Sequence, residues 1–332
     1  MTRRHAALLA LLADGALHSG ASLAARLGVS RAAVWKLVRE LREHGVQVAS
    51  LPRTGYRLPR PVELLDAARI GSLLDGHGWR LGDRLEVLLE TGSTNTHLHD
   101  GPAPQPGAPR VALAELQQAG RGRRGRTWHA PFGSGLTFSV AWTFADTPAG
   151  LPALGLAIGV GVAHALQSIG LAEAQVKWPN DLVWRRRKLG GLLLQLRSEA
   201  GGPASVVAGL GVNVMLAPES RALLEAAGAH PVTDLGEALD GRVPGRNQLA
   251  ATLAAAMLDT LDEFARHGYA AFAPRWSGLD ALAGAQVRVV QADGAVEGEA
   301  CGADADGALL VRVAGEVQRF YSGDVSLRPV AS

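Results

Sequence analysis

A chain of 332 residues that is 47% hydrophobic and 19% charged is not a disordered one, and by inspection no stretch approaches the ~18 apolar residues of a bilayer span. Cys301 is the only cysteine, which excludes an intrachain disulfide and a Cys-rich zinc site. Net charge is +2, but residues 1–60 hold ten Arg/Lys against Asp14, Glu40 and Glu43, a net of +7 that leaves −5 for the remainder. A small basic module on a mildly acidic body points to an anionic partner for the module alone.

Arg3-Arg4 and the short apolar run at 6–13 resemble a signal peptide, but the run ends at Asp14-Gly15 and reads better as a first helix. The protein is therefore expected to be cytoplasmic, with no membrane partner. A second helix is predicted from a cap at Ser22 to Leu27, stopped by Gly28. Ser30 then caps a helix in which Val34, Leu37, Val38 and Leu41 form one face, while Arg31, Lys36, Arg39 and Arg42 project elsewhere. Two short strands, 46–50 and 55–58, flank Pro52-Arg53-Thr54 as a wing. Helix, turn, basic-faced helix and wing make a winged helix-turn-helix, with Ser30, Arg31, Trp35 and Lys36 facing the major groove of DNA. Pro59 and Pro61 mark a linker.

Beyond it, strand and helix periods mix. Residues 85–89 and 111–116 are predicted strands, with Thr91-Gly92-Ser93-Thr94-Asn95 a polar turn opening a helix between them. Residues 136–144 alternate apolar and small polar side chains, as a half-buried strand does. A Gly/Ala-rich helix covers 153–169, short strands 175–178 and 182–184 flank Pro179-Asn180-Asp181, and further strands cover 192–197 and 206–210. A long amphipathic helix spans 246–267. After Trp276, four short strands (286–291, 296–301, 308–313 and 317–321) are separated by turns at Asp293-Gly294, 304–307 and Ala314-Gly315, as in a small barrel.

Two segments carry the chemistry. Gly120-Arg121-Gly122-Arg123-Arg124-Gly125-Arg126 contains G-x-G-x-x-G, but a dinucleotide turn must open a helix, and Pro131, Gly133 and Gly135 follow instead. Glycines interleaved with arginines describe a cationic loop that repels itself when free and orders over a phosphate. Lysine is the second signal: only Lys36, Lys177 and Lys188 occur, and two of them fall in one short segment. A compact ammonium can approach one oxygen in a narrow pocket where a planar guanidinium cannot.

Gly92-Ser93-Thr94-Asn95, Gln117 with the arginine loop and Trp128, Lys177-Trp178-Pro179-Asn180-Asp181, Lys188-Leu189-Gly190-Gly191 and Gly209-Leu210-Gly211-Val212-Asn213 resemble, in order and spacing, the biotin protein ligase family. With the N-terminal module the chain is similar to its bifunctional ligase–repressor form. The resemblance implies an α+β protein of three domains: a winged helix-turn-helix (1–62), a mixed α/β ligase domain of the class II synthetase type (63–282) and an SH3-like barrel (283–332). It implies that biotin and Mg-ATP (with Mg2+) form biotinyl-5′-AMP, and that a lysine of a biotin carboxyl carrier protein then takes the biotinyl group. Lys177 and Arg123 would act catalytically. Ser93, Thr94, Asn95, Gln117, Arg121, Gly122, Arg123 and Lys177 would bind biotin, and Arg121, Arg123, Arg126, Trp128, Asn180 and Lys188 the nucleotide. Asp181 stands open between a metal ligand and a turn cap, and Lys188 between contacting the intermediate and solvating its turn. Arg328 would reach back to the nucleotide. Biotinyl-5′-AMP would also favour a homodimer that sets two winged modules on operator DNA. Three other readings compete: a metabolite-sensing regulator without ligase activity, a lipoate or octanoate ligase or transferase, and a biotin ligase whose N-terminal module serves only structure or dimer geometry.

Overall fold

The computed structural model describes residues 1–197, 203–228, 231–291, 294–321 and 323–327. The N-terminal module packs α1 (Arg3–Leu12), α2 (Gly20–Leu27) and α3 (Arg31–Glu43) around Leu8, Leu9, Leu12, Leu23, Val34, Leu37, Val38 and Leu41. The cap of α2 is Ser19 rather than Ser22: the Ser19 hydroxyl accepts the Ser22 amide. The wing is β1 (Ala49–Leu51) against β2 (Gly55–Arg57), starting three residues later than expected because Val46 and Val48 turn inward to the module core.

The Pro59–Pro61 stretch is not a free tether. Leu58 and Val62 are buried in the module core, and Arg60 donates to the carbonyls of Gly133 and Met215. His44, capping the end of α3, meets Glu90 through Nδ1 at 2.5 Å, and Gln118 bridges the His44 carbonyl and the Glu90 carboxylate.

The body is a seven-stranded mixed sheet. Its strands are β3 (Leu85–Thr91), β4 (Arg110–Gln117), β5 (Gly135–Thr143), β6 (Ala174–Lys177), β7 (Asp181–Trp184), β8 (Arg187–Arg197) and β9 (Ser205–Asn213), in the order β3-β4-β5-β9-β8-β7-β6. Only β3 and β4 run parallel. Helices α4 (Ala67–Gly76), α6 (Leu154–Ser168) and α9 (Arg246–His267) pack together on one face. Helix α5 (Thr94–Asp100) covers part of the other, where Leu98 meets Ala112, Ala141 and Val207. Short helices α7 (Pro218–Gly228), α8 (Leu235–Ala238) and α10 (Ala273–Leu279) complete the unit.

Side chains on a strand alternate between faces. In β5, Leu136, Phe138, Val140 and Trp142 feed the main core, whereas Thr137 and Ser139 face the α5 side. The strand is buried on both faces, not half-buried as its pattern suggested, because α5 and the arginine loop roof its polar side. Close packing explains two of the glycines of α6: a Cβ at Gly159 would press on Val176, and one at Gly161 would collide with Thr260. Together with the preceding turn, α6 makes an 18-residue segment, Leu151–Ser168, whose mean hydropathy of 1.4 does reach the range of a membrane span, contrary to the sequence expectation; most of it is buried as a core helix.

Strands β10 (Gln286–Gln291), β11 (Gly294–Ala303), β12 (Leu309–Val313), β13 (Glu316–Phe320) and β14 (Asp324–Leu327) form an antiparallel sheet, ordered β13-β12-β11-β10-β14. The fifth strand was not foreseen. The sheet shares the main hydrophobic core, and Trp178 donates its indole N–H to the Gly307 carbonyl at 2.9 Å. Asp293 and Arg328 lie outside the described residues.

Candidate active site

On the α5 side of the sheet, small residues on neighbouring strands remove the surface that side chains would normally fill. Thr137, Gly211 and Gly191 stand in one register row, and Ser139, Gly209 and Leu193 in the next. The resulting cavity of about 350 Å³ is lined by Ser93, Thr94, Asn95, Gln117, Arg121, Gly122, Arg123, Arg126, Trp128, Lys177, Asn180, Asp181 and Lys188, which are all of the sequence-predicted ligase residues except Arg328, outside the described residues. The volume suits a small-molecule site.

A neutral hydrogen-bond network forms one end. Gln117 Oε1 accepts the Thr94 amide at 2.7 Å, Thr94 Oγ1 and Ser139 Oγ share a 2.7 Å hydrogen bond, and Ser139 Oγ donates to Asn95 Oδ1 at 2.6 Å. Asn95 Nδ2 donates to Leu193 O and Gln195 Oε1 at 3.2 and 3.1 Å. Gly209 makes room for this, since a Cβ there would overlap the Asn95 amide. Ser93, Thr94, Asn95 and Ser139 are all buried, so these oxygens and amides are held in fixed directions, as recognition of a polar heterocycle requires. Ser139 and Gln195 were missed from sequence; each lies on a strand whose partners only the sheet register reveals.

The other end is cationic. Burial pushes the Lys177 ammonium below the usual lysine range; the Asp181 carboxylate opposes this, and the neighbouring Lys188 charge adds to it. Among the described residues Lys177 forms no ion pair; Asp181 pairs instead with Lys188, at 2.7 Å. Lys188 Nζ also lies 5.9 Å from the centroid of the Trp128 ring. Trp128 rests flat on β9, where a Cβ at Gly211 would collide with the indole, and its buried Nε1 has no partner among the described residues.

The arginine loop is folded over the cavity. Gly122 N donates to Arg126 O at 2.7 Å, and Trp128 N donates to Gly120 O at 2.9 Å. Its expected self-repulsion is answered from β14: Asp324 accepts from Arg124 at 3.1 Å and from Arg126 at 3.0 Å. Arg123 points inward and donates to Asn180 Oδ1 at 3.3 Å, while Asn180 Nδ2 holds the Leu192 carbonyl. Asn180 thus anchors the loop to the β6–β7 turn.

No group of three or more His, Cys, Asp or Glu able to hold a metal exists among the described residues. Asp181 and Asp324, the carboxylates lining the cavity, each already neutralise a cation. These residues do not fit a resident metal site.

On the N-terminal module, Ser30 caps α3 by accepting the Ala33 amide at 3.2 Å, and Arg31, Trp35 and Lys36 are exposed on the side away from the core. Arg42 is committed elsewhere, donating to the Val48 carbonyl.

A cavity with a fixed neutral polar end, a cationic end and a glycine-arginine cover suits a ligand that joins a polar heterocycle to a phosphate, and the body that holds it carries a helix-turn-helix module. Residues 3–57 match a helix-turn-helix domain, 90–213 the biotin/lipoate A/B protein ligase family and 283–328 the biotin protein ligase C-terminal domain. The bifunctional ligase/repressor BirA of Salmonella typhimurium is 38% identical over 97% of this chain and 96% of its own, and the biotin–[acetyl-CoA-carboxylase] ligase of Mycobacterium tuberculosis is 34% identical over 75% and 90%. The structure of a biotin protein ligase from Aquifex aeolicus in complex with biotin and ATP aligns with a TM-score of 0.61 at 25% identity, covering 74% of this chain and 99% of that one. The chain belongs to the bifunctional ligase/repressor family, ATP-dependent biotin protein ligases that carry a helix-turn-helix domain.

Proposed function

We propose that the cavity joins the biotin carboxylate to the α-phosphate of ATP, releasing pyrophosphate, and that the resulting biotinyl-5′-AMP gives its acyl group to a lysine of the biotin carboxyl carrier domain of acetyl-CoA carboxylase, releasing AMP. Magnesium arrives as the ion of Mg-ATP, bound through the phosphates. The observation that carries this reading is the convergence of Lys177, Lys188, Arg123 and Arg126 on a cavity whose opposite end is the Thr94–Asn95–Ser139 network.

Two anions must meet, and their repulsion has to be cancelled where charge accumulates. Lys177 supplies an unpaired ammonium to the carboxylate and then to the anhydride oxygens. Arg121, Gly122 and Arg123 close over the acyl phosphate and keep water from a hydrolysable intermediate. Ser93, Thr94, Asn95 and Gln117, braced by Ser139, hold the ureido ring, and Trp128 stacks on adenine. Lys188 and Arg126, held in place by Asp181 and Asp324, turn their remaining N–H donors to phosphate oxygens when nucleotide enters.

In this reading the domains are 1–62, 63–282 and 283–332, and the protein works in the cytoplasm, where its acceptor is made. The N-terminal module binds operator DNA through Ser30, Arg31, Trp35 and Lys36, and biotinyl-5′-AMP favours the homodimer that brings two modules to one site. The ligase reading is tested by incubating the protein with biotin, Mg-ATP and an unmodified carrier domain. A mass increase of one biotinyl group, lost when the acceptor lysine is replaced by arginine, is expected; an unmodified carrier would overturn it.

A further inference from the structure

Helix α3 presents Arg31, Trp35 and Arg39 at four-residue intervals, on the side away from the buried Val34, Leu37, Val38 and Leu41. Trp35 is 56% exposed, although an indole is a large apolar body with no core duty there. The Arg39 guanidinium stacks over its ring, 5.2 Å from the centroid. The closest approach of Arg39 to Glu43 is through Nε at 3.5 Å, and both side chains are well exposed, so that pair holds the guanidinium only weakly. Stacking on the indole does more: it fixes the plane of the fork and removes rotamer freedom that binding would otherwise have to freeze.

A planar guanidinium placed over an indole, on the exposed face of the third helix, has a fork of N–H donors that matches the paired O6 and N7 acceptors of guanine in the major groove. Phosphate contacts need only charge, which Arg31, Lys36 and the exposed wing residues Arg53 and Arg57 already provide. We infer that Trp35 is a platform presenting Arg39 to a guanine, so that the Trp35–Arg39 stack is a sequence-reading element of this module. The inference rests on the reading of the module as DNA-binding.

The test is selection from a random-sequence duplex DNA library by the full-length protein, with biotin and Mg-ATP present, followed by sequencing. Wild type should enrich a motif with a fixed guanine. Arg39→Lys keeps the charge but not the fork, and Trp35→Ala removes the platform. Each should lower the guanine preference at that same position by about tenfold while the other positions keep theirs. Both residues are exposed, and an unchanged Tm would verify that the variants fold. If wild type enriches no motif, the DNA-binding reading itself fails and this inference with it. If a motif is enriched and Arg39→Lys leaves every position unaltered, or both variants weaken all positions equally, the stack reads no base while DNA binding stands.

Discussion

Lys177 is the residue on which the chemistry turns. Because burial favours its neutral form, with Lys188 reinforcing and Asp181 opposing, it should deprotonate below the usual lysine range in the free protein. An incoming carboxylate prefers the charged form. Biotin affinity should therefore be full below the free-state pKa and fall as pH rises through it, earlier than an ordinary lysine would dictate. Calorimetric titration across alkaline pH measures this, and an affinity that stays level into the normal lysine range would contradict it. Lys177→Arg keeps the charge but places a wide fork where a point charge fits, so adenylation should slow by about 10²–10³-fold. Gly211 is the second such residue. A side chain there would lift Trp128 off β9, so Gly211→Ala should raise KM for ATP about tenfold while biotin binding at the Asn95 end changes little.

Among elements, the arginine loop and β14 belong together although 200 positions separate Arg124 from Asp324. Asp324→Ala removes the carboxylate that Arg124 and Arg126 share, so the loop loses both of its ion pairs to β14 and keeps the Arg123–Asn180 bond, its internal hydrogen bonds and the Trp128 packing. Trypsin should then cut the ligand-free loop several-fold faster than in wild type, and biotin with Mg-ATP should restore protection as phosphates replace the carboxylate. Equal cutting rates would show that Asp324 does not hold it. This pairing was invisible in the sequence because β14 is only four residues long, too short for its polar–apolar alternation to stand out. Long, strongly periodic elements were legible: α9 runs over the expected 246–267 and β10 over the expected 286–291. Motif residues were legible as well, since glycine, arginine and lysine are informative where backbone approach or charge leaves few alternatives. Ser139 and Gln195 were not, because a hydroxyl or amide on a strand gains meaning only from the neighbour across the sheet.

At the scale of the whole molecule, Glu90 joins the winged module to the ligase body. Burial alone would raise its carboxyl, but hydrogen bonds from the amino terminus, Gln118 and His44 outweigh this and hold it below the usual range. A depressed carboxylate contributes stability that is present above its unfolded pKa, about 4.3, and is lost as pH falls through the folded value. Acid should therefore loosen the module from the body, seen as faster amide exchange at residues 44–48 relative to the sheet interior. Exchange there that stays constant on acidification would contradict that role. Glu90 lies just before the Ser93–Asn95 turn, and Gln118 just after Gln117 and before the loop, so the module is seated on the roots of both ligand-binding segments. The central claim is that the cavity between those segments activates biotin. Its most direct test is ATP–pyrophosphate exchange by the purified protein, with biotin, lipoate and octanoate supplied in parallel. Exchange that depends on biotin alone is predicted. Exchange with no acid, despite biotin binding, would contradict the account and leave a sensor in place of a ligase.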